Sequence, residues 1–257
     1  MRRLGTAVRA ALRTRGLEGD RGTTLTELLV TLLIFSMVVA ATITMAVGFA
    51  RTNAENISRQ DQIDSARASV QSMSRALRTA VMPSQLTSTC VSCTQDAFVV
   101  GRDYAVQFYA NLDNPGNSVG PSRVTYSIAT SGADAGNLVE KVQRPDSNVP
   151  TASGYQYCDA EVTGASAACR ARLTTRVLAR GVQAGTPVFK YYDRSGNRMS
   201  PTTAGGTLTA AELARVLAVE LVVSVQAPNA TRADPTTYIQ RITLPNAQAV
   251  LRQSEED

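Results

Sequence analysis

The 257-residue chain contains no histidine and no tryptophan, and its only lysines are Lys141 and Lys190. Without histidine the commonest general base and the commonest metal ligand are both missing. Ser and Thr are plentiful, but no His stands ready to activate them, and neither lysine falls in a recognisable Ser–Lys motif. The acids are mostly scattered singly, as on solvated faces. The composition therefore points away from an enzyme and calls for no cofactor. Positive charge is also scarce once the first residues are set aside. Of the net charge of +5, residues 1–22 supply four, through Arg2, Arg3, Arg9, Arg13, Arg15 and Arg21 against Glu18 and Asp20, which leaves +1 for the rest. A nucleic-acid-binding surface is conceivable, but bulk charge gives it no support.

Apolar residues make up 44% of the chain, enough for one ordinary folded domain with a substantial appendage. The appendage is legible first. Residues 28–50 (LLVTLLIFSMVVAATITMAVGFA) run for 23 residues without a charge. As a helix that stretch would cover roughly 35 Å, sufficient to cross a bilayer core of about 30 Å. Arg51 closes it. The arginine-rich flank before it should remain cytoplasmic, which puts everything after Arg51 outside the cytoplasm.

Helical character continues beyond the apolar run in a different form. Ile63, Ala66, Val70, Met73, Leu77 and Val81 recur in steps of three and four, with Ile57 leading in, while Arg59, Asp61, Asp64, Arg67, Arg75 and Arg78 take the other faces. That is an amphipathic helix that needs a partner along one stripe. Gly48 is the only Gly or Pro between Thr23 and Met82, and Pro83 stops the pattern. One continuous helix of 60 residues is expected, on the order of 90 Å long; the alternative is two helices broken near residues 48–53. After Pro83 come short strands with turn signals between them: Phe98–Gly101, Ala105–Ala110, Arg123–Ala129, Leu138–Gln143, Arg172–Leu178, Val188–Asp193, Val216–Gln226 and Thr237–Leu244. The run Ala211–Arg215 suits a short helix leading into the long strand. A long helix followed by strands predicts an α+β domain, with an antiparallel sheet packed on the helix's second half.

The residues that point to function lie where charge gives way to grease: Arg21-Gly22-Thr23-Thr24-Leu25-Thr26-Glu27-Leu28-Leu29-Val30. A lone acid at the edge of a membrane-spanning segment is functional by default and asks for a partner. This segment resembles the N-terminal cleavage and methylation signature of type IV prepilins, a Gly followed by Phe-Thr-Leu-(Ile)-Glu-Leu. The resemblance implies cleavage after Gly22, Thr23 as the new N-terminus, and Glu27 as the fifth residue of the mature chain. Where the family usually has Phe, or Met in some members, this chain has Thr23. A secretory signal has an apolar core of about 7–15 residues, shorter than the run here, and a generic anchor has no need of Glu27 at that distance from a Gly.

The resemblance carries further expectations. The fold would be type IV pilin-like: a leader over residues 1–22, a transmembrane and assembly helix over 23–50, its amphipathic continuation over 51–82, and a β-rich extracytoplasmic head over 83–257. The partners would be a prepilin peptidase, other pilins or minor pilins, a polytopic platform protein, a cytoplasmic assembly ATPase, and membrane lipid before assembly. In an axially staggered filament the Glu27 carboxylate of one subunit can approach the Thr23 ammonium of another, and such a buried pair serves chiefly to fix register. Segments at Val177–Val182, Val188–Gly196, Val216–Val225 and Arg241–Asn246 look like the closing parts of large minor subunits, the W-type minor pilins and J-type minor pseudopilins. The alternative is a surface adhesin or DNA-binding module on a pilin-like anchor.

Four cysteines, Cys90, Cys93, Cys158 and Cys169, all follow the apolar run. An even count in an exported domain favours disulfides, with Cys90–Cys93 and Cys158–Cys169 first among the three possible connectivities. A zinc site would want closer spacing in the second pair, and a redox Cys-x-x-Cys would want a βαβ context. Asp193, Ser195 and Asn197 resemble a sparse calcium loop, but a hairpin turn also accounts for them. The aromatics Tyr104, Phe108, Tyr109, Tyr155, Tyr157, Phe189, Tyr191 and Tyr192 read as sheet packing rather than as a base-stacking platform.

Overall fold

The computed structural model describes residues 23–86, 95–203, 205–226 and 234–244. Helix α1 runs unbroken over Leu25–Arg78, and the chain divides into two compact units between Asn53 and Ala54. The first unit holds the apolar part of α1. Its residues from Leu25 to Ala50 are exposed, apart from the half-buried Val39. The helix passes through Gly48 without a break, so the two-helix alternative is not what forms. The polar side chains of the apolar run are all spent locally. Thr31, Ser36, Thr42 and Thr44 each donate to the backbone carbonyl three residues earlier, at 2.7–2.9 Å. No hydroxyl in that run needs water or a partner, as a helix surface facing hydrocarbon requires. By length and composition α1 is the one helix, among the described residues, able to cross a membrane.

The second unit begins with the rest of α1, which buries Gln62, Ala66, Ser69, Val70, Met73, Ser74, Ala76 and Leu77. Ala66, Val70, Met73, Leu77 and Val81 are buried as expected, and the stripe departs from expectation only at its start. Ile57 and Ile63 are 52% and 40% exposed, and Gln62 takes the place expected for Ile63. The same face of the helix lies close to a sheet edge. Ser69 Oγ lies 2.7 Å from the Leu178 carbonyl oxygen, which only a small side chain permits at that distance. The helix also ends four residues short of Met82. Residues 79–81 instead join the end of a strand, with Val81 N–H donating to the Tyr109 carbonyl (2.9 Å) and Asn111 N–H to that of Thr79 (3.0 Å).

Among the described residues nine strands follow: β1 (Phe98–Gly101), β2 (Ala105–Ala110), β3 (Ser122–Ile128), β4 (Leu138–Gln143), β5 (Leu173–Ala179), β6 (Phe189–Tyr192), β7 (Arg198–Met199), β8 (Ala218–Val225) and β9 (Thr236–Thr243). The short helices α2 (Ala167–Arg170) and α3 (Ala210–Leu213) precede β5 and β8. The fold is α+β, a long N-terminal helix packed on antiparallel sheet. The strands form two sheets rather than one: a five-stranded meander β1-β2-β3-β4-β5 and a four-stranded sheet ordered β7-β6-β8-β9. The chain leaves the first sheet at Gly181. A Cβ there would meet the Gln226 carbonyl oxygen at 2.2 Å, and φ is +65°, so no other residue fits this close backbone approach. Gln226 N–H donates to the Gly181 carbonyl and Gln183 N–H to that of Ser224, which ties the sheets together. Alternate residues of both sheets face a single core. Val106, Phe108, Val124, Tyr126 and Leu138 meet Phe189, Tyr191, Val219, Leu221 and Ile242 there, with Val70, Met73 and Leu77 of α1 in the same cluster.

Candidate functional site: the helix N-terminus and the ties of the head

Gly22, the expected cleavage residue, lies outside the described residues, and Thr23 and Thr24 precede α1 as exposed, non-helical backbone. Thr24 is the cap. Its carbonyl accepts from the N–H groups of Glu27 (3.0 Å) and Leu28 (3.1 Å), and its hydroxyl accepts from the Glu27 N–H at 3.3 Å. Leu25 is the first helical residue, so Glu27 stands third, in an exposed first turn. Thr24-Leu25-Thr26-Glu27 is therefore the spacing of a helix cap, Thr followed three residues later by Glu, and an acid there also favours the positive end of the helix. That first-turn position, beside the positive end of the helix, is a second reason for an acid at Glu27, legible in the spacing once Thr24 is recognised as the cap. It leaves the carboxylate at the surface, free to meet a group from outside the chain.

Cys158 and Cys169 form a disulfide, with Cα atoms 6.0 Å apart. Ser166 caps α2 by accepting from the Cys169 N–H at 3.1 Å, so the second cysteine is placed by a helix start. Cys90 and Cys93 lie outside the described residues. The Asp193 carboxylate accepts from Asn197 N–H (2.8 Å) and Asn197 Nδ2 (3.2 Å) within the β6–β7 turn. These bonds hold the Asp193 carboxyl below its usual range, the backbone bond contributing most. The group is thus engaged in closing a hairpin. Of the aromatics, Phe108, Phe189 and Tyr191 are fully buried, and Tyr109 stacks on Tyr157 at 5.7 Å.

No protein-family model and no curated protein matches this chain. The functional reading rests on its own residues.

Two polar rows in the head were not apparent from the sequence. On the core side of the first sheet, Tyr126, Glu140 and Arg176 stand opposite one another on β3, β4 and β5. Tyr126 Oη donates to Glu140 Oε1 (2.8 Å), Arg176 lies 2.7 Å from Glu140 Oε2, and Arg176 Nη2 also donates to Ser72 of α1 (2.9 Å). Glu140 is only 8% exposed, and burial together with its carboxylate pushes the Tyr126 hydroxyl far above its ordinary range. In the second sheet Lys190, Glu220 and Arg241 form the equivalent row across β6, β8 and β9. Lys190 and Arg241 each approach Glu220 to 2.9 Å, and the Arg241 guanidinium lies 3.9 Å from the Tyr192 ring centre. Desolvation resists ionisation of Glu220, but the hydrogen bonds and charges of Lys190 and Arg241 outweigh it and hold the carboxyl below its usual range.

Proposed function

We propose that the chain is a prepilin-like subunit, a minor pilin or pseudopilin that helps start or cap a type IV-like filament of a pilus, secretion or DNA-uptake machine. The observation that carries this reading is a surface carboxylate, Glu27, in the first turn of a helix whose next 23 residues are uncharged and whose far end is built into a folded head. Such a helix serves first as a lipid anchor, N-terminus inside and head outside the cytoplasm, and then as the packed interior of a filament. Cleavage after Gly22 would free the Thr23 amine beside the start of α1. In an apolar filament core, that ammonium and a neighbour's Glu27 carboxylate would prefer each other to isolation, which sets the axial stagger. Size favours a minor role, since residues 23–257 alone number 235, a heavy load for a subunit repeated along a shaft.

Mass spectrometry of the native N-terminus, in membrane and sheared-surface fractions, tests the reading. A chain beginning at Thr23, methylated or not, and present in the sheared material is the expected outcome. An intact Met1 end in a host with active prepilin peptidase, or a start near residue 50, rejects it. Glu27→Gln separates the two roles of that residue. Gln serves a helix cap as well as Glu does but cannot pair with an ammonium. Processing and helix content should survive, and incorporation into filaments should fall at least tenfold; unchanged incorporation would leave Glu27 only a first-turn acid of the helix.

A further inference from the structure

The outward face of the five-stranded sheet carries a polar cleft of about 130 Å³ that the filament reading does not use. Its floor follows from strand register. Gln107, Thr125 and Lys141 stand opposite one another on β2, β3 and β4, and Arg123 and Gln143 are neighbours in the next row. These residues alternate with the core-facing Val106, Phe108, Val124 and Tyr126, so they share the other face of the sheet. One wall is the segment Asp159–Glu161, which several ties hold over the sheet. The Cys158–Cys169 bond anchors it, and Gln143 Nε2 donates to the Cys158 carbonyl at 2.6 Å. Tyr157 stacks on Tyr109, donates to the Pro121 carbonyl at 2.5 Å and is covered by the Arg123 guanidinium at 4.8 Å. Lys141 Nζ bridges to both Glu161 oxygens, at 2.6 and 2.7 Å. The wall is therefore tied to the sheet by a covalent bond and by side chains that reach backbone carbonyls, together with the Lys141–Glu161 ion pair.

The lining narrows the chemistry of a ligand. Arg123 and Lys141 face Asp159 and Glu161, so the charges balance. An anion would meet two carboxylates and a cation two basic groups, while an apolar ligand would strand the hydrogen-bonding groups. The volume is below that of ordinary small-molecule pockets and equals roughly four waters at about 30 Å³ each, on the scale of one sugar ring. Each hydroxyl of a sugar both donates and accepts, and the lining offers both functions close together. Gln107 gives one amide N–H to Thr125 at 2.9 Å and keeps its second N–H as a donor and its carbonyl oxygen as an acceptor, and Asp159 accepts from the Glu161 N–H at 3.1 Å with one oxygen and keeps the other as an acceptor. Leu173 supplies an apolar spot for a ring's C–H face. We infer that this cleft binds a neutral sugar residue, so that the head recognises glycan in addition to whatever assembly role the helix has.

The inference does not depend on the filament reading, and its test is separate. The full chain, held in a detergent without a sugar headgroup, is applied to an array of neutral glycans ending in glucose, galactose, mannose, N-acetylglucosamine or N-acetylgalactosamine. Retention on at least one of them is expected. It should fall at least tenfold in Gln107→Ala and in the near-isosteric Asp159→Asn, and stay unchanged in Thr175→Ala, which lies on the same face of the sheet outside the cleft. Near-ultraviolet circular dichroism confirms that each variant is folded, and the isosteric change keeps the test decisive if the alanine variant is not. Failure to retain any neutral glycan, retention only of charged glycans, or equal retention by wild type and both cleft variants would each overturn the assignment.

Discussion

Two parts of one helix meet opposite conditions. Between Leu28 and Ala50 α1 is apolar on all sides and, apart from Val39, exposed, and its hydroxyls donate only to its own carbonyls. From Ala54 to Arg78 it is amphipathic, with one face buried and the hydroxyls of Ser69 and Ser72 within hydrogen-bonding distance of β5. Backbone geometry is common to both parts, so the environment of each is decided by side-chain pattern alone. A helix that is greasy all round must find a medium, lipid or other helices. One that is greasy along a stripe finds a sheet. One uninterrupted element thus carries both patterns.

The largest effect should come from a matched pair of truncations. Met73 is fully buried in the head core, whereas Met37, one of the apolar-run residues, is 64% exposed. Met73→Ala should cost about 2–5 kcal/mol of head stability, as for other buried large-to-small changes. Met37→Ala should cost the head nothing measurable. Denaturant unfolding followed by tyrosine near-ultraviolet dichroism reads both. Equal losses would mean that the two parts of α1 share one cooperative core, against the division drawn here.

A smaller effect tests how the second part of the helix is tied to the sheet. Glu140→Leu removes the carboxylate that accepts from Tyr126 and pairs with Arg176. The buried Tyr126 hydroxyl is left without that acceptor, at a cost of about 1–3 kcal/mol. Arg176 is half exposed and can turn to water, so its release adds little. Tyr126→Phe combined with Glu140→Leu should recover part of the loss, because the stranded hydroxyl goes with it. If the double variant is as unstable as the sum of the singles, the row is not acting as a unit.

Much of the architecture was legible because it is local. Apolar alternation bounded by Gly, Pro and Asn placed β1, β2 and β4 at their observed limits, and the remaining expected strands within one or two residues at every end. β7 escaped because two residues, Arg198 and Met199, carry no period. The division into two sheets also escaped, since it depends on which strands pair across long stretches of chain and on the close approach at Gly181. The exchange of Ile63 for Gln62 at the start of the buried stripe is of the same kind. Steps of three and four backwards from Ala66 allow either Ile63 or Gln62, and the contact of Ser69 with β5 decides between them. Hydrophobicity argued for Ile63, and it lost. At the helix N-terminus the charge boundary and Glu27 were plain, while the capping role of Thr24 was concealed inside the same motif. The cleft was invisible for a simpler reason. Gln107, Thr125 and Lys141 become neighbours only through register, and Asp159 and Glu161 reach them through a loop whose course no periodicity describes.

The smallest effect concerns acid, and it contrasts the two polar rows. Glu220 has its folded-state pKa lowered by its basic partners despite desolvation. A lowered carboxyl pKa contributes stability at pH values above the unfolded-state pKa of about 4.3, and that contribution disappears as pH falls through the folded value. The pairing should therefore be intact at pH 7 and fade below about pH 4. Since Arg241 is half exposed and Lys190 partly so, the sum is on the order of 1 kcal/mol. Glu220→Gln keeps the shape and removes the charge. Its stability deficit relative to wild type should be present at pH 7 and shrink towards zero near pH 3, when the wild-type carboxyl is itself protonated. A deficit that persists unchanged at pH 3 would assign the role of Glu220 to packing. High salt gives the same contrast by another route. Screening should narrow the Glu220 gap at pH 7, yet leave the Glu140→Leu deficit nearly intact, because its largest part is the lost acceptor of a buried hydroxyl and not an ion pair reached by water.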